Sequence, residues 1–367
     1  MAHAVPDNSV WCLNIVVWNV FLRTRRLFQD GQITRASHMA RLFCEQAEFA
    51  SADVVVLCEV FDQECAKLLS RGMADAGYIH QTRVLGQEEH RPHHILQTAM
   101  LQKRLLVMNG GVVIYSRHPI LSQHYAFFQG NDIDAMDAFS MKGFVYVRVK
   151  VSSRRIVHIV GTHLQATRTG DGDRMRLKQI YRVNQFLRDQ LIPCNEPIIL
   201  LGDLNQDSYT HTHAHSAAFQ KLLSTAELLP VPHQSPHPHG HPATVNPEEN
   251  NLVGRDTDVT IPISCLDHCT FALTHLRPLL PDSSCITLKP TTREPMTFGM
   301  PGVFYRSDMV GITTHHLSDH FALLARLVFP IDNDCIHDHE LPDDSFFHVA
   351  ASSNSKNARL VYTPTTT

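Results

Sequence analysis

Short runs of apolar and β-branched residues recur along the chain, and polar side chains stand at the ends of several of them. Three runs have the length and composition of strands buried in a sheet: Leu13–Val20, Asp53–Leu57 and Pro197–Leu201. Apolar residues at helical spacing occur between them, in Arg35–Phe49 and Arg174–Gln190. Because strands and helices alternate, the pattern predicts a layered α/β protein.

The length of 367 residues permits two or three domains, but large β-rich enzymes often run to about 250 residues as one unit. We expect one catalytic domain over residues 1–330. A segment rich in His and Pro near 208–243 predicts a mobile surface insertion rather than a metal-binding loop, because alternating His and Pro give no fixed ligand geometry. Residues 331–367 are acidic and then rich in Ser and Thr, which predicts a poorly ordered polar tail.

Charge and hydropathy narrow the choice of partners. A net charge of −4 gives no general attraction to a phosphate backbone, so no nucleic-acid partner is expected. The chain has no apolar run of about 18–20 residues that would predict a transmembrane helix. Its first residues also lack the basic start and apolar stretch of a signal peptide. We expect a monomer that is cytoplasmic or peripheral to a membrane, and secreted only if a leader has been removed.

Several apolar runs end in residues that suit catalysis or metal binding. Glu59 closes one strand and is a hard oxygen ligand of the kind that Mg²⁺ prefers. Asn19 ends the first strand, where its amide oxygen could help to hold the ion. His163, Asp203 and Asn205 lie just beyond two later strands, where rigid α/β scaffolds commonly carry site residues.

Asp267 and the pair Asp319–His320 lie within or beside apolar segments near the end of the chain. A carboxylate is costly to bury unless it is paired, and histidine is a natural partner for it. A couple of histidine and aspartate has the layout of a general base with its orienting carboxylate. A protein that had lost catalysis would be expected to lack at least one of these side chains, and none is missing.

The order of these residues resembles that of the endonuclease/exonuclease/phosphatase superfamily of deoxyribonuclease-like enzymes. The matching segments are VVWNV, LCEVFD, GTHLQA, GDLNQD, CLDH and SDHFAL. The resemblance covers the chain from about Leu13 to Phe329. It implies an α/β fold in which two mixed β-sheets flanked by helices form a four-layer sandwich.

The intervening segments resemble neutral and bacterial sphingomyelinases, most closely in Asn109–Ile120 (NGGVVIYSRHPI) and Ser140–Tyr146 (SMKGFVY). This resemblance implies Mg²⁺-dependent hydrolysis of a phosphosphingolipid at a membrane surface, with Mn²⁺ or Co²⁺ as substitute ions. Ceramide and a phosphorylated head group would be released. A nuclease, with a basic groove, and an inositol-phosphate phosphatase, with a denser set of basic residues, stay open as alternatives.

The resemblance also implies a role for each candidate residue. The metal ligands are Glu59, Asn19 and Asp319. The catalytic residues are His320 as general base, Asp267 as its orienter, His163 on the leaving-group side, and Asp203 and Asn205 as positioners of water and phosphoryl oxygens. The two histidine roles are interchangeable at this stage. The substrate-binding residues are Lys142, for which a solvated lysine at a strand start is the alternative, and Asn246, whose stretch resembles one that carries Trp and Asp in bacterial relatives.

Two loop-like segments are rich in large apolar side chains, which predicts either contact with a membrane interface or ordinary core packing. These side chains are Tyr125, Phe127, Phe128, Met296, Phe298, Met300, Phe304 and Tyr305.

Overall fold

The computed structural model describes residues 10–25, 29–87, 108–128, 140–167, 170–208, 213–234, 243–254, 260–298 and 312–331. The strands within these ranges are β1 (Val10–Leu22), β2 (Val54–Val60), β3 (His80–Gln81), β4 (Val113–Ser116), β5 (Ile120–Phe127), β6 (Gly143–Ser152), β7 (Arg155–His163), β8 (Ile198–Asp203), β9 (Leu228–Pro230), β10 (Asp267–Ala272), β11 (Ser284–Leu288), β12 (Thr291–Phe298), β13 (Ile312–His316) and β14 (Ala322–Pro330). The helices are α1 (Gln32–Glu45), α2 (Ala47–Ala50), α3 (Gln63–Asp75), α4 (Gly170–Asp189) and α5 (His213–Ala226).

Two six-stranded sheets contain most of the strands. The first has the order β11-β14-β1-β2-β4-β3 and the second the order β5-β6-β7-β8-β10-β9, while β12 and β13 form a separate two-stranded sheet. Each large sheet is mixed, because β1 and β2 are parallel in the first and β7 and β8 are parallel in the second. The other neighbouring strands of these sheets pair antiparallel.

Three apolar clusters hold the layers together. The central cluster joins the inner faces of both sheets, with Val17 and Val56 from the first and Val147 and Ile199 from the second. The outer face of the first sheet packs against α1 and α3, and the outer face of the second packs against α4 and α5. The predicted four-layer α/β sandwich is confirmed, because alternating faces of each strand are buried on opposite sides.

A glycine permits the close pairing of β7 and β8 next to their polar ends. Gly202 has φ 155°, and a Cβ atom at this position would lie 1.8 Å from the carbonyl oxygen of Thr162. Any side chain here would push the two strands apart. Gly202 therefore holds the last residues of the two strands, His163 and Asp203, side by side in register.

The segment rich in His and Pro is not a mobile insertion where the structure describes it. Residues 213–226 form α5, and Phe219, Leu222 and Leu223 are buried against the second sheet. The sequence pattern was misleading because interspersed histidines weaken the periodicity of the helix. Residues 209–212 and 235–242 lie outside the described residues.

The large apolar side chains that suggested membrane contact pack into the protein where they are described. Phe128 and Met296 are buried, and Tyr125, Phe127 and Phe298 pack against the apolar clusters. Met300, Phe304 and Tyr305 lie outside the described residues.

All described residues belong to one compact unit, Met1–Asp332. A second unit, Asn333–Thr367, contains only residues outside the described ranges. The assignment of residues 1–330 to one catalytic domain and of 331–367 to a tail stays a prediction. No helix in the described part of the chain is long and apolar enough to cross a membrane.

Candidate active site

The ends of five strands bring the candidate residues to one edge of both sheets. Asn19 and Glu59 lie near the carboxyl ends of the parallel strands β1 and β2, and His163 and Asp203 end the parallel strands β7 and β8. Asp267 begins β10 and pairs directly with Asp203, because β10 runs antiparallel to β8. The loop that carries Asp319 and His320 reaches the same edge, because it leads into β14, which is antiparallel to β1.

Asn19 links the two sheets at this edge. Its Nδ2 donates a 3.0 Å hydrogen bond to Glu59 Oε1 and a 2.9 Å hydrogen bond to Asp203 Oδ2. Its Oδ1 accepts from the backbone N–H of Phe21 at 3.1 Å. This arrangement differs from the predicted one, since the amide nitrogen faces the carboxylates and the amide oxygen is engaged by the backbone.

The carboxylates of the site are held in an environment that disfavours their charge. Desolvation raises the pKa of Glu59 to about 7, and the negative charge of Asp319 adds to the effect. Desolvation likewise raises the pKa of Asp203 to about 6, together with the charge of Asp267. Several carboxyl groups that resist ionisation at one place create a strong preference for a bound cation.

His320 and Asp267 form the predicted couple. Nδ1 of His320 lies 2.7 Å from Asp267 Oδ2, and both side chains are buried. Burial alone would lower the pKa of His320, but the negative charges of Asp267, Asp319 and Asp203 outweigh it and hold this pKa well above its usual value. The contact with Asp267 fixes the orientation of the ring, and Nε2 is left to act on a ligand.

His163 lies beside Asp203 and is electrostatically different from His320. Its Nε2 is 3.5 Å from Asp203 Oδ2, and its Nδ1 has no hydrogen-bond partner among the described residues. Burial holds the pKa of His163 well below its usual value, and the positive charges of Lys142 and His320 contribute. The two histidines therefore carry opposite protonation preferences, which suits a division of acid and base work.

Lys142 and Asn205 converge on one backbone carbonyl next to His163. Lys142 Nζ donates a 2.6 Å hydrogen bond to the oxygen of Leu164, and Asn205 Nδ2 donates a 3.1 Å bond to the same atom. Only 2% of Lys142 is exposed, so the alternative of a solvated lysine is wrong. The backbone N–H of Asn205 also donates to Asp203 Oδ1 at 2.9 Å.

Asn246 and Asp319 are both partly exposed. The side chain of Asn246 stabilises a local turn, in which Oδ1 accepts from the backbone N–H of Glu248 and Nδ2 donates to Glu249 Oε1. Asp319 is partly exposed, and its Oδ1 accepts a hydrogen bond from the hydroxyl of Ser318 at 3.3 Å. Its charge reaches Glu59 and His320, as their pKa shifts indicate.

Three residues at the site have the left-handed backbone conformation that side chains usually avoid. The φ angles are 49° for Phe21, 60° for Glu59 and 50° for Asn205. For Phe21 and Glu59 this conformation costs on the order of 1–3 kcal/mol and persists only where the surroundings enforce it, whereas asparagine adopts it more readily. Phe21 and Glu59 lie where the register of β1 and β2 shifts, between the pairs Asn19–Cys58 and Leu22–Val60.

The donors at this edge fit a divalent metal ion. Glu59, His163 and Asp203 form one set of possible ligands, and Asp203, Asp267 and His320 form another. In each set one ligand atom from every residue lies within 4.8 Å of the others. Carboxylates with raised pKa values and an unpartnered His163 Nδ1 are the features expected where a cation and its water complete the site.

Sequence reasoning missed the residues that support this site. Trp18 Nε1 donates to the carbonyl of His320, and Thr244 Oγ1 accepts from the backbone N–H groups of Leu266 and Asp267. Ser318 Oγ donates to the carbonyl of Asn19 at 2.7 Å. Two buried arginines were also missed, Arg35 and Arg176, although a charged residue among the apolar positions of a helix is a usable signal.

Comparison with known proteins identifies the class to which this fold and site belong. Residues 16–320 match the Endonuclease/Exonuclease/phosphatase family, and the chain belongs to that family. It is a hydrolase of phosphodiester bonds, as predicted.

Within this class the chain is similar to proteins named sphingomyelinase C. That of Leptospira interrogans is 33% identical over 208 residues, which cover 56% of this chain and 36% of the relative. That of Bacillus cereus is 30% identical over 240 residues, which cover 64% of this chain and 68% of the relative. The crystal structure of sphingomyelinase C from Streptomyces griseocarneus matches with a TM-score of 0.69 at 28% identity, and covers 86% of this chain and 99% of that one. The match thus spans about a third of the Leptospira protein and two thirds of the Bacillus protein.

Proposed function

We propose that this chain is a Mg²⁺-dependent hydrolase of the phospholipase C type that cleaves a sphingophospholipid into ceramide and a phosphorylated head group. One observation supports the proposal: the residues proposed as metal ligands and acid–base groups meet at one edge of a fold similar to that of sphingomyelinase C. Oxygen-rich ligands favour Mg²⁺ over softer metals. The enzyme would act at a membrane surface, where its substrate lies, as a monomeric peripheral protein.

Glu59 is the proposed principal ligand of the ion, supported by Asp319. We assign Asn19 to hold the carboxylates of Glu59 and Asp203 in place through its amide nitrogen. Bound Mg²⁺ would neutralise phosphoryl charge and offset the carboxylate charges that keep His320 protonated.

The reaction is an in-line displacement at phosphorus. His320 removes a proton from the attacking water while the water oxygen bonds to phosphorus, and Asp267 fixes the tautomer of His320 throughout. The bond from phosphorus to the ceramide oxygen breaks, and His163 would supply the proton that this oxygen requires once the negative charge of the bound phosphodiester has raised the pKa of its ring. Asp203 and Asn205 position the water and the phosphoryl oxygens.

Lys142 contributes positive charge next to His163, within the reach of a phosphoryl group bound between the two histidines. Its bond to the carbonyl of Leu164 also fixes the loop that follows His163. Asn246 would contact the substrate only at the rim of the site, because both polar atoms of its side chain are engaged in a local turn.

A panel of substrates tests the proposal. The protein is incubated with Mg²⁺ and with separate vesicles of sphingomyelin and of inositol phosphoceramide, and with supercoiled DNA in parallel. We expect release of ceramide from at least one lipid, and no nicking of the DNA. Nicking of DNA without release of ceramide would favour a nuclease and contradict the proposal.

The leaving-group role of His163 predicts that a His163→Ala variant recovers on an activated substrate. With sphingomyelin we expect kcat to fall about 10²–10⁴-fold, because the ceramide alkoxide is a poor leaving group. With p-nitrophenyl phosphorylcholine, whose leaving group needs no proton, the loss should be less than about tenfold. A His320→Ala variant should lose activity on both substrates, and the reverse pattern would show that the two histidines exchange roles.

The raised carboxyl pKa values predict that Mg²⁺ stabilises the fold more strongly as the pH rises. The pKa of Glu59, about 7, and that of Asp203, about 6, lie above those of an unfolded chain. Between the unfolded and folded values the folded state binds more protons, so the stability of the metal-free fold falls with rising pH. Bound cation favours the ionised carboxylates and reverses this loss. The Tm measured with Mg²⁺ minus that with EDTA should grow from about pH 5 to about pH 8, and a constant difference would count against the metal site.

A further inference from the structure

Two buried arginines, one in the helical layer of each sheet, each join two segments that carry site residues. Arg35 lies in α1, which covers the first sheet, and Arg176 lies in α4, which covers the second. Arg35 is 0% exposed and Arg176 is 2% exposed. A guanidinium group is costly to bury unless several acceptors surround it, so each position must serve the structure around it.

Arg35 binds backbone carbonyls from two segments that are almost 300 residues apart in the chain. Its Nη1 donates to the oxygens of Val20 at 3.2 Å and Leu317 at 2.9 Å, and its Nη2 donates to the oxygen of Phe21 at 2.7 Å. The carboxylate of Asp30 anchors the same group, with Oδ1 2.7 Å from Nη2.

These contacts fix the first-sheet half of the site. Val20 and Phe21 directly follow Asn19, and Leu317 is two residues before Asp319 and three before His320. Phe21 is one of the strained residues, so its conformation needs an external restraint. Arg35 therefore sets the distance between the segment that follows Asn19 and the loop that carries His320, the proposed general base.

Arg176 makes the corresponding connection in the second sheet. Its Nη1 donates to the carbonyls of Gln165 at 2.7 Å and Thr167 at 2.8 Å, and its Nε donates to Gln206 Oε1 at 3.0 Å. Asp173 Oδ1 anchors Nη2 at 2.5 Å. Gln165 and Thr167 follow His163, whereas Gln206 follows Asp203 and Asn205, so Arg176 holds these two loops together.

We propose that Arg35 and Arg176 are a pair of positioning residues, one for each sheet, that hold the metal-binding and acid–base groups at their working separation. Neither residue need touch the substrate. The inference deepens the proposed function and rests on it for the turnover measurement. Outer residues that orient ligands typically contribute about 10–100-fold to metal affinity or activity.

The chain offers a matched control for both arginines. Arg117 also donates to three backbone carbonyls, those of Ala52 at 2.9 Å, Ala76 at 2.7 Å and Ala50 at 3.1 Å. It lies at the opposite end of the first sheet, next to the start of β2, and the three carbonyls that it binds lie far along the chain or at the other end of a strand from the candidate residues. Replacing Arg117 therefore measures the loss of stability that follows from removing any guanidinium group that binds several backbone carbonyls.

The test compares Arg35→Lys, Arg176→Lys and Arg117→Lys at a temperature where each protein is folded. Lysine keeps the charge but cannot bridge several acceptors. For Arg35→Lys and Arg176→Lys we expect kcat to fall about 10–100-fold with KM within about twofold of the parent. For Arg117→Lys we expect a lower Tm and unchanged kcat. Equal kcat in all three variants and the parent would overturn the inference.

A Mg²⁺ titration by calorimetry separates this inference from the proposed function. If the parent protein cleaves no phosphodiester, the proposed function fails, and Mg²⁺ affinity decides the inference alone. Weaker binding in Arg35→Lys and Arg176→Lys than in Arg117→Lys supports it, and equal binding overturns it. If a lysine variant does not fold, Asp30→Asn and Asp173→Asn loosen the same two guanidinium groups and receive the same measurements.

Discussion

Replacing His320 with alanine should lower kcat about 10²–10⁴-fold, which is the usual contribution of a general acid or base. The ring of His320 is oriented by Asp267 at 2.7 Å, and no other described histidine shares that carboxylate. The metal-free fold should also lose stability, because the variant leaves the buried carboxylate of Asp267 without its charged partner, so kinetics are measured at a temperature where the variant is folded. Steady-state kinetics on the lipid substrate give the effect on kcat.

His158→Gln is the matched control for this variant. His158 is also buried and also paired with a carboxylate, with Nε2 2.5 Å from Glu196 Oε2, but it lies toward the start of β7, away from the site. We expect the control to lose thermal stability and to keep its kcat. Near-normal turnover by His320→Ala would contradict the assignment of His320 as the general base.

Glu59→Gln should separate activity from stability. The amide keeps the shape of the side chain but removes the charge that binds the ion, so we expect kcat to fall by at least about 10²–10³-fold. The metal-free fold should become more stable above neutral pH, by about 3 kcal/mol, since the cost of ionising a group whose pKa is raised to about 7 disappears. Kinetics and thermal unfolding with EDTA measure the two effects.

Glu64→Gln provides the comparison, because Glu64 is an exposed carboxylate near the start of the adjacent helix α3 and pairs with Lys67. It should leave both kcat and metal-free stability nearly unchanged. A Glu59→Gln protein that is less stable than the parent without metal at high pH would contradict the electrostatic account of the site.

The fold, and the convergence of the candidate residues at one edge of it, were predictable from sequence because both depend on short-range patterns. An unbroken apolar run indicates a buried strand. The polar residue that ends the run, such as Glu59 or Asp203, is then predicted to lie at the edge of the sheet. Parallel neighbours then bring such ends together. The order of these residues along the chain, and the resemblance it carries, implied a role for each residue, and these roles stay predictions.

Other features could not be predicted because they depend on contacts across the fold. The left-handed conformation of Phe21 and Glu59 is enforced by surrounding structure rather than by residue preference. The direction in which the amide of Asn19 faces is set by the backbone N–H of Phe21. Arg35 binds carbonyls on segments distant in sequence, and no local pattern specifies those partners.

The most direct test of the account is hydrolysis of sphingomyelin vesicles in water enriched in ¹⁸O, followed by mass spectrometry of the products. Attack of water on phosphorus predicts that the label enters the phosphorylated head group and that ceramide is released unlabelled. Release should require Mg²⁺ and should be reduced about 10²–10⁴-fold in His320→Ala. Label in the ceramide, or unchanged release in EDTA, would contradict the assignment of this site as a metal-dependent phosphodiesterase of sphingophospholipids.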